Sequence, residues 1–448
     1  MDKLARLTRP AWRMTPSAGD TIRVMSVVGT RPEAVKLAPI VQEIERTTGF
    51  ESILCLSGQH ADMVSSILEL FRLVPQVDLQ IMRSSQSLNH IVRAVLAGME
   101  RVLAEFKPDA VLVQGDTTTA AATAIAAFHA HIPICHVEAG LRTYDLTAPW
   151  PEEGNRQIIS RLARLHFAPS IRAQQNLLNE GVAADRIHLT GNTVIDSLCF
   201  VRDKILRQEA ASIRSNFPWL DVRKRLILAT GHRRENHNGR LARVCRALVR
   251  IAARGDCQVA FVKHNNPVVQ ATVDEFLSGK DGVFVLEPQS YVRFVWLMTE
   301  AQFIITDSGG VQEEAPALGK PVLVTRETTE RPEPVDAGTA RLVGADEAHI
   351  YDEAARMLDD PDEISRMSRV QSLYGDGEAA RRIVLALKAD LGRGRGSHGL
   401  DPGLNGANPT EAWSRDRAAP LNTGHSSATH DRRTTQPVGP QTRGWNDH

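Results

Sequence analysis

Short apolar runs alternating with loops and amphipathic stretches recur along most of this chain, and that repetition restricts it to an open α/β architecture. Residues 22–28 are an apolar run, followed by a loop and a helical pattern over 33–46. The unit returns at 110–113, where Gly115-Asp116-Thr117-Thr118-Thr119 leads into the alanine-rich 120–128 and then the strand-like 132–137. Strand, helix and strand in this order imply a right-handed parallel crossover. A second series begins near residue 189, with strand patterns at 226–229, 258–262, 283–286 and 303–306 and a helical pattern at 241–253. Two parallel sheets in tandem are expected. A chain of 448 residues is too long for one ordinary core and suits two domains, which imply a cleft. The expected bounds are an extension over 1–21, a first Rossmann-like domain over 22–188 and a second over 189–371. From residue 393 the aliphatic periodicity gives way to Gly, Pro, Ser, Thr, Arg and His, which reads as a disordered tail over 393–448. Gly392-Arg393-Gly394-Arg395-Gly396 has no strand before it and no helix after it, so it is not a dinucleotide loop.

Composition narrows the partners. Lysine plus arginine equals aspartate plus glutamate at 53 each, and no basic stripe suits a nucleic acid. The five cysteines are scattered without metal or redox spacing and read as reduced thiols. No stretch approaches the roughly 18 apolar residues of a membrane span, and residues 1–20 lack the apolar block of a secretory signal. A soluble, cytoplasmic protein with no membrane partner is the expectation.

In doubly wound sheets ligands collect at the carboxyl ends of strands, and the polar clusters of this chain sit there. Gly29-Thr30-Arg31-Pro32-Glu33-Ala34 follows the first strand, with Pro32 near a helix start; Arg31 and Lys36 stand over an anion there or are ordinary surface charges. Asp307-Ser308-Gly309-Gly310 lets backbone N–H groups approach a diphosphate. Glu313 and Glu314 follow, one placed to take the hydroxyls of a ribose and the other, in the plainer reading, favouring the helix dipole. Asp116, Glu138 and Glu152 lie at or beyond successive strand ends with Arg142 and Arg156 nearby. Each alone suits a cap or an ion pair. Together they suit proton transfer at carbon. His232-Arg233-Arg234-Glu235-Asn236 and His264-Asn265-Asn266-Pro267 end two strands of the second series and suit phosphate binding, proton transfer or helix capping. His136-Val137-Glu138 lacks the Pro-Cys-x-x-Cys partner of a zinc deaminase, and Asp360-Pro361-Asp362 lies between helices, away from any strand end. No metal and no cofactor are expected.

These motifs, with Ser57-Gly58-Gln59-His60, Thr190-Gly191-Asn192-Thr193 and the segment 328–333, closely resemble the non-hydrolysing UDP-N-acetylglucosamine 2-epimerases from about residue 22 to about 390. The resemblance implies a GT-B-like fold, a homodimer, and a C-terminal helix within 372–392 that crosses back to the first domain. It implies reversible conversion of UDP-GlcNAc to UDP-ManNAc by elimination of UDP to 2-acetamidoglucal and re-addition, supplying bacterial surface polysaccharide. Carried over by position, Arg31, His232, Ser308, Gly309 and Gly310 surround the diphosphate, Glu314 takes the ribose, Arg331 lies near the nucleotide, and Gln289 and Phe294 match the uracil loop. Lys36, Asp116, Glu138, Glu152 and Arg156 match the surroundings of the sugar, with Asp116, Glu138, Glu152 and His232 as catalytic candidates. Gln59 and His60 match a regulatory site, although Asp62 and Ser85 depart from its polar or basic neighbours. A GT-B glycosyltransferase, a hydrolysing epimerase and a non-catalytic nucleotide-sugar sensor are the alternatives. The first would need an acceptor site, the second would not retain UDP in its product, and the third could dispense with the carboxylates.

Overall fold

Each apolar run becomes a strand of a parallel sheet covered on both faces. The computed structural model describes residues 21–58, 61–83, 86–231, 239–369 and 372–393. The first sheet contains β1 (Ile22–Val28), β2 (Phe50–Leu56), β3 (Val77–Asp78), β4 (Ala110–Gln114), β5 (Ile134–Val137), β6 (Leu165–Ala168) and β7 (Ile187–Leu189). The second contains β8 (Arg225–Thr230), β9 (Cys257–Val262), β10 (Val283–Leu286), β11 (Phe303–Thr306), β12 (Val322–Val324) and β13 (Ala340–Leu342). All their pairings are parallel. Every residue of β4 and β9 is buried, which is why these runs read as continuous apolar stretches with no two-residue alternation.

The strand order is β3-β2-β1-β4-β5-β6-β7 in the first sheet and β10-β9-β8-β11-β12-β13 in the second. The order therefore reverses between β1 and β4 and again between β8 and β11. Helices leave such a point towards opposite faces, and a crevice opens at the carboxyl ends of the two strands. The segments after β1, β4 and β11 are the ones that the sequence marks as polar and glycine-bearing.

Local chemistry sets the helix starts at these crevices. Glu33 accepts the Thr30 N–H at 2.7 Å and the Thr30 hydroxyl at 2.8 Å, closing the first turn of the helix Arg31–Arg46. The Thr117 hydroxyl accepts the Ala120 N–H and starts the helix Thr118–His129. That helix is buried on nearly all sides between the helices Leu88–Phe106 and Glu152–Leu162, where its alanines permit close approach.

After β7 the chain leaves the first sheet through Thr190-Gly191-Asn192 and the helix Thr193–Phe200, and it later returns past Tyr374 and Gly375 into the helix Ala379–Arg393. That last helix packs on the helices Arg31–Arg46 and Thr193–Phe200, with Ile383, Val384 and Leu387 sharing a core with Ile40, Val41 and Ile44. Asp196 accepts the Ala379 and Ala380 N–H groups at 3.3 and 2.8 Å, capping the returning helix from another element. Arg164 adds a forked pair to Asp390 at 2.7 and 3.1 Å. Among the described residues no helix is long and apolar enough to cross a membrane. The expected extension before Thr21 and the expected tail after Arg393 lie outside the described residues.

Candidate active site

Four loops of the first lobe are tied into one frame. The Glu33 carboxylate accepts the Gly29 N–H at 3.1 Å, both donors of Thr30, and the Thr117 hydroxyl at 2.8 Å, so the loops after β1 and β4 share one buried acceptor. Gly115 has φ of 67°, and a Cβ there would lie 3.2 Å from a Glu138 oxygen, which brings the Asp116 loop against Glu138. Asn155 donates to the Asp116 carbonyl at 2.8 Å. The Arg156 Nε lies 3.3 Å from the Asp116 carboxylate, and its Nη1 lies 3.6 Å from Glu153. Both nitrogens sit at ion-pair range but off hydrogen-bonding geometry, so this 2 % exposed guanidinium keeps donors for another oxygen.

Burial pushes the Glu33 carboxyl up to about 7, against four hydrogen bonds that favour its charged form. A carboxyl raised in this way holds its proton more tightly folded than unfolded. Its contribution to stability is complete below the ordinary 4.5 and is lost as pH rises through about 7. Glu33→Gln should therefore flatten the fall in unfolding free energy between about pH 4.5 and about pH 7 by on the order of 3 kcal/mol. Urea titrations of both proteins across that window test it, and parallel pH profiles would refute the assignment.

Beside this frame, charged side chains from both lobes meet in a buried cluster. The Lys36 ammonium, from the first helix, donates to Glu138 and lies 3.4 Å from Glu313 in the helix Gly309–Ala317. Arg331 donates through Nε to Glu313 and through Nη1 to Glu330, and its Nη2 reaches Glu138 at 3.5 Å. Gln114, at the end of β4, donates to the other Glu138 oxygen. Burial alone would raise the Glu138 carboxyl, but Lys36 and Arg331 outweigh it and hold the group below its ordinary range. Burial is the larger influence at Glu313, which is pushed up despite Arg331 and Lys36. Burial alone would likewise lower Lys36, and the charges of Glu138 and Glu313 more than reverse it.

The second lobe contributes a helix start and a half-sheltered loop. Ser308 precedes the first helical residue Gly309, and its N–H donates to the Thr306 hydroxyl at 2.9 Å. A Cβ on Gly309 would stand 2.6 Å from the Arg331 Nη1, so the guanidinium occupies the space a side chain would need at that glycine. The Tyr291 hydroxyl donates to Glu314 at 2.6 Å, and burial pushes the Glu314 carboxyl up to about 7. Arg31 is held below its ordinary range by burial, with Glu314 and then Tyr291 as the charges that oppose the shift. Gln289 and Phe294 flank Tyr291, Gln289 just before the helix Tyr291–Glu300 and Phe294 within it.

The structure thus gathers Lys36, Glu138 and Arg331 directly, sets Asp116 and Arg156 beside them through Gly115, and groups Arg31 with Glu314 near Gln289 and Phe294. Glu152 opens the helix Glu152–Leu162, one turn before Arg156. Arg142, read from sequence as a neighbour of the carboxylates, instead forks onto Glu180 at 2.6 and 2.9 Å and donates to Ser160. His136 is wholly buried against the Gly115 carbonyl at 2.7 Å, where burial lowers it to about 3. His264 accepts the Asn266 N–H at 3.1 Å, while the Asn266 side chain caps the helix Pro267–Leu277 by accepting the Val268 N–H at 2.9 Å. Gln59, His60, Ser85 and the segment 232–238, with His232, lie outside the described residues. Among the described residues no group of three or more His, Cys, Asp or Glu side chains is arranged to hold a metal.

Sequence reading gives no role to Glu33, Gln114, Asn192, Tyr291 or Glu330, although Glu33, Asn192 and Glu330 lie in quoted motifs and Glu33 also carries the Thr-x-x-Glu spacing of a capping box. Glu313, one of the two glutamates read as serving a ribose or the helix dipole, is an ion-pair partner of Arg331.

Residues 42–388 match the family described as UDP-N-acetylglucosamine 2-epimerase. The chain is 50 % identical over 370 residues to the UDP-N-acetylglucosamine 2-epimerase of Escherichia coli strain K12, covering 82 % of this chain and 98 % of that one. Against the same-named protein of Salmonella typhimurium it is 49 % identical over 371 residues, covering 82 % and 99 %. A crystal structure of the Neisseria meningitidis enzyme bound to UDP-GlcNAc superposes with TM-score 0.81 at 41 % identity, covering 82 % of this chain and all of that one. A Methanocaldococcus jannaschii enzyme in complex with UDP-GlcNAc and UDP gives TM-score 0.73 at 32 % identity over 82 % of this chain and all of that one.

Proposed function

This chain belongs to the UDP-N-acetylglucosamine 2-epimerase family, and from that premise we propose how its own residues interconvert UDP-GlcNAc and UDP-ManNAc. It is a non-hydrolysing isomerase with a GT-B-like pair of lobes. The observation that carries the residue assignment is the Arg331 guanidinium, which touches Glu138 at 3.5 Å and lies against Gly309. One cation therefore joins the carboxylate of the sugar site to the helix start of the diphosphate site.

Elimination breaks the C1–O bond, whose electron pair leaves with UDP, while the C2–H proton passes to a base and its electrons form the C1=C2 double bond of 2-acetamidoglucal. Return of UDP to C1 with a proton delivered to the opposite face of C2 completes the inversion. Two faces require two proton routes, and Glu138, Asp116 and Glu152 supply them. The departing diphosphate is stabilised by Arg31, by His232, by the Ser308 hydroxyl and by the N–H groups of Gly309 and Gly310, the Ser308 N–H being held by the Thr306 hydroxyl. Glu314 holds the ribose, and Gln289 and Phe294 hold the uracil. A diphosphate at Gly309 competes for Arg331. Drawing that cation from Glu138 raises the proton affinity of the carboxylate, so nucleotide binding primes the base. Lys36 and Arg156 orient the sugar.

Proton NMR of UDP-GlcNAc with the purified protein in deuterium oxide tests the reaction. UDP-ManNAc carrying deuterium at C2 with little free UDP is the expected product. Free ManNAc and UDP would indicate hydrolysis, and an unchanged spectrum would favour a transferase awaiting its acceptor. A cytoplasmic homodimer belongs to the same proposal. A groove lined by Val92, Leu96 and Ile132 together with Arg93, Glu100 and Lys107 offers a surface for the dimer, and light scattering checks it.

A further inference from the structure

The Thr190-Gly191-Asn192-Thr193 segment has no part in the mechanism above, yet Asn192 is 2 % exposed at the place where both passages of the chain between the lobes meet. Its N–H donates to the Tyr374 carbonyl at 2.6 Å. A Cβ on Gly191 would meet the Tyr374 carbonyl oxygen and the Gly375 Cα at 3.0 Å, so the outgoing and returning strands touch backbone to backbone. The Asn192 side-chain oxygen accepts the Val194 N–H at 3.1 Å and caps the helix Thr193–Phe200. A backbone donor thereby fixes which way the amide faces. Its nitrogen must point towards the carboxylates, and it donates to Glu138 at 3.0 Å and to Glu313 at 3.1 Å.

We propose that Asn192 is a positioning residue for the epimerisation: its amide ties Glu138 of the first lobe to Glu313 of the second at the crossing point of the chain. The proposal rests on the reading of Glu138 as a proton-transfer group. Glu138 sits on a left-handed backbone with φ of 64°, and its remaining partners, Lys36, Gln114 and Arg331, are all long side chains. Asn192 is the short, backbone-anchored donor among them. A crossing point moves least when two lobes rotate, so this donor keeps the carboxylate aimed while the cleft opens and shuts. Its two amide hydrogens bridge the same two carboxylates that Lys36 and Arg331 bridge by charge.

Asn192→Asp and Asn192→Ser separate this role from helix capping, because Asp and Ser both cap as well as Asn. Asp replaces the shared donor with a third carboxylate, and Ser is too short to reach either glutamate. For Asn192→Asp, kcat should fall about a hundred-fold, and for Asn192→Ser about ten-fold, with KM and the Kd for UDP within a few-fold of the parent in the Ser variant. A kcat within two-fold of the parent in both variants would reduce Asn192 to a cap and overturn the proposal. So would loss of UDP binding in step with kcat in the Ser variant, which would mark a general structural defect. Glu138→Gln is run in parallel. If that variant turns over normally, the reading of Glu138 fails; if it is inactive while both Asn192 variants are normal, only the positioning role fails.

Discussion

Glu138→Gln should lower kcat by about three orders of magnitude while the Kd for UDP stays within a few-fold. The carboxylate is surrounded by donors alone: Lys36, Gln114, Asn192 and Arg331. A glutamine keeps one oxygen for Lys36 and Asn192 and turns an amide nitrogen towards Gln114. Gln114 can answer by rotating its own amide, so the fold survives the exchange. On the proposed mechanism, what disappears is the ability to accept the C2 proton. Asp116→Asn should behave similarly, because Asp116 lies beside the same pocket and pairs with Arg156 at 3.3 Å. Steady-state turnover together with UDP titration calorimetry separates the two quantities. Normal turnover in either variant would remove that residue from the chemistry.

Arg331→Met should cost about 3–5 kcal/mol of stability, the range for removing one partner of a buried ion pair. The side chains of Glu313 and Glu330 are 0 and 2 % exposed, and each loses a hydrogen bond to the guanidinium. Glu330 retains Arg326 at 2.8 Å and Glu313 retains Lys36 at 3.4 Å, so the cluster is weakened on two sides at once without being emptied. Replacing Glu313 by leucine in the same chain should recover much of the loss, since the orphaned charge leaves with its partner. Urea unfolding of the single and double variants measures both effects. A single-variant loss below about 1 kcal/mol, the value of an exposed pair, would show that these charges do not depend on one another. The same variant should weaken UDP binding, since the guanidinium rests on Gly309.

Much of this architecture is legible in the chain because the signals are local. The strand patterns at 22–28, 283–286 and 303–306 match β1, β10 and β11 residue for residue, and the helix expected over 33–46 begins two residues earlier, at Arg31. Pro32 and the Thr30–Glu33 spacing announce that start. The polar loops at strand ends also announce the site, because a doubly wound sheet places ligands there whatever its sequence. Other assignments depend on distance in sequence. Nothing near Arg142 says that Glu180 will claim it, and nothing near Glu313 says that Arg331 will. Of two adjacent glutamates, one faces Tyr291 and the other faces Arg331, a choice made by the face of the helix each occupies.

The sequence by itself therefore determined the two parallel sheets, the helix starts and the family to which the chain belongs, because these follow from periodicity, capping and ordered motifs within a few tens of residues. Tertiary structure alone decided which charges meet. Lys36, Glu138, Asn192, Glu313 and Arg331 come from five separate segments, and only the packing of two lobes about the crossing point at Asn192 brings them within 3.5 Å of one another's partners. Burial then sets their charge states, since removing water makes each ionised group depend on the neighbours that the fold supplies.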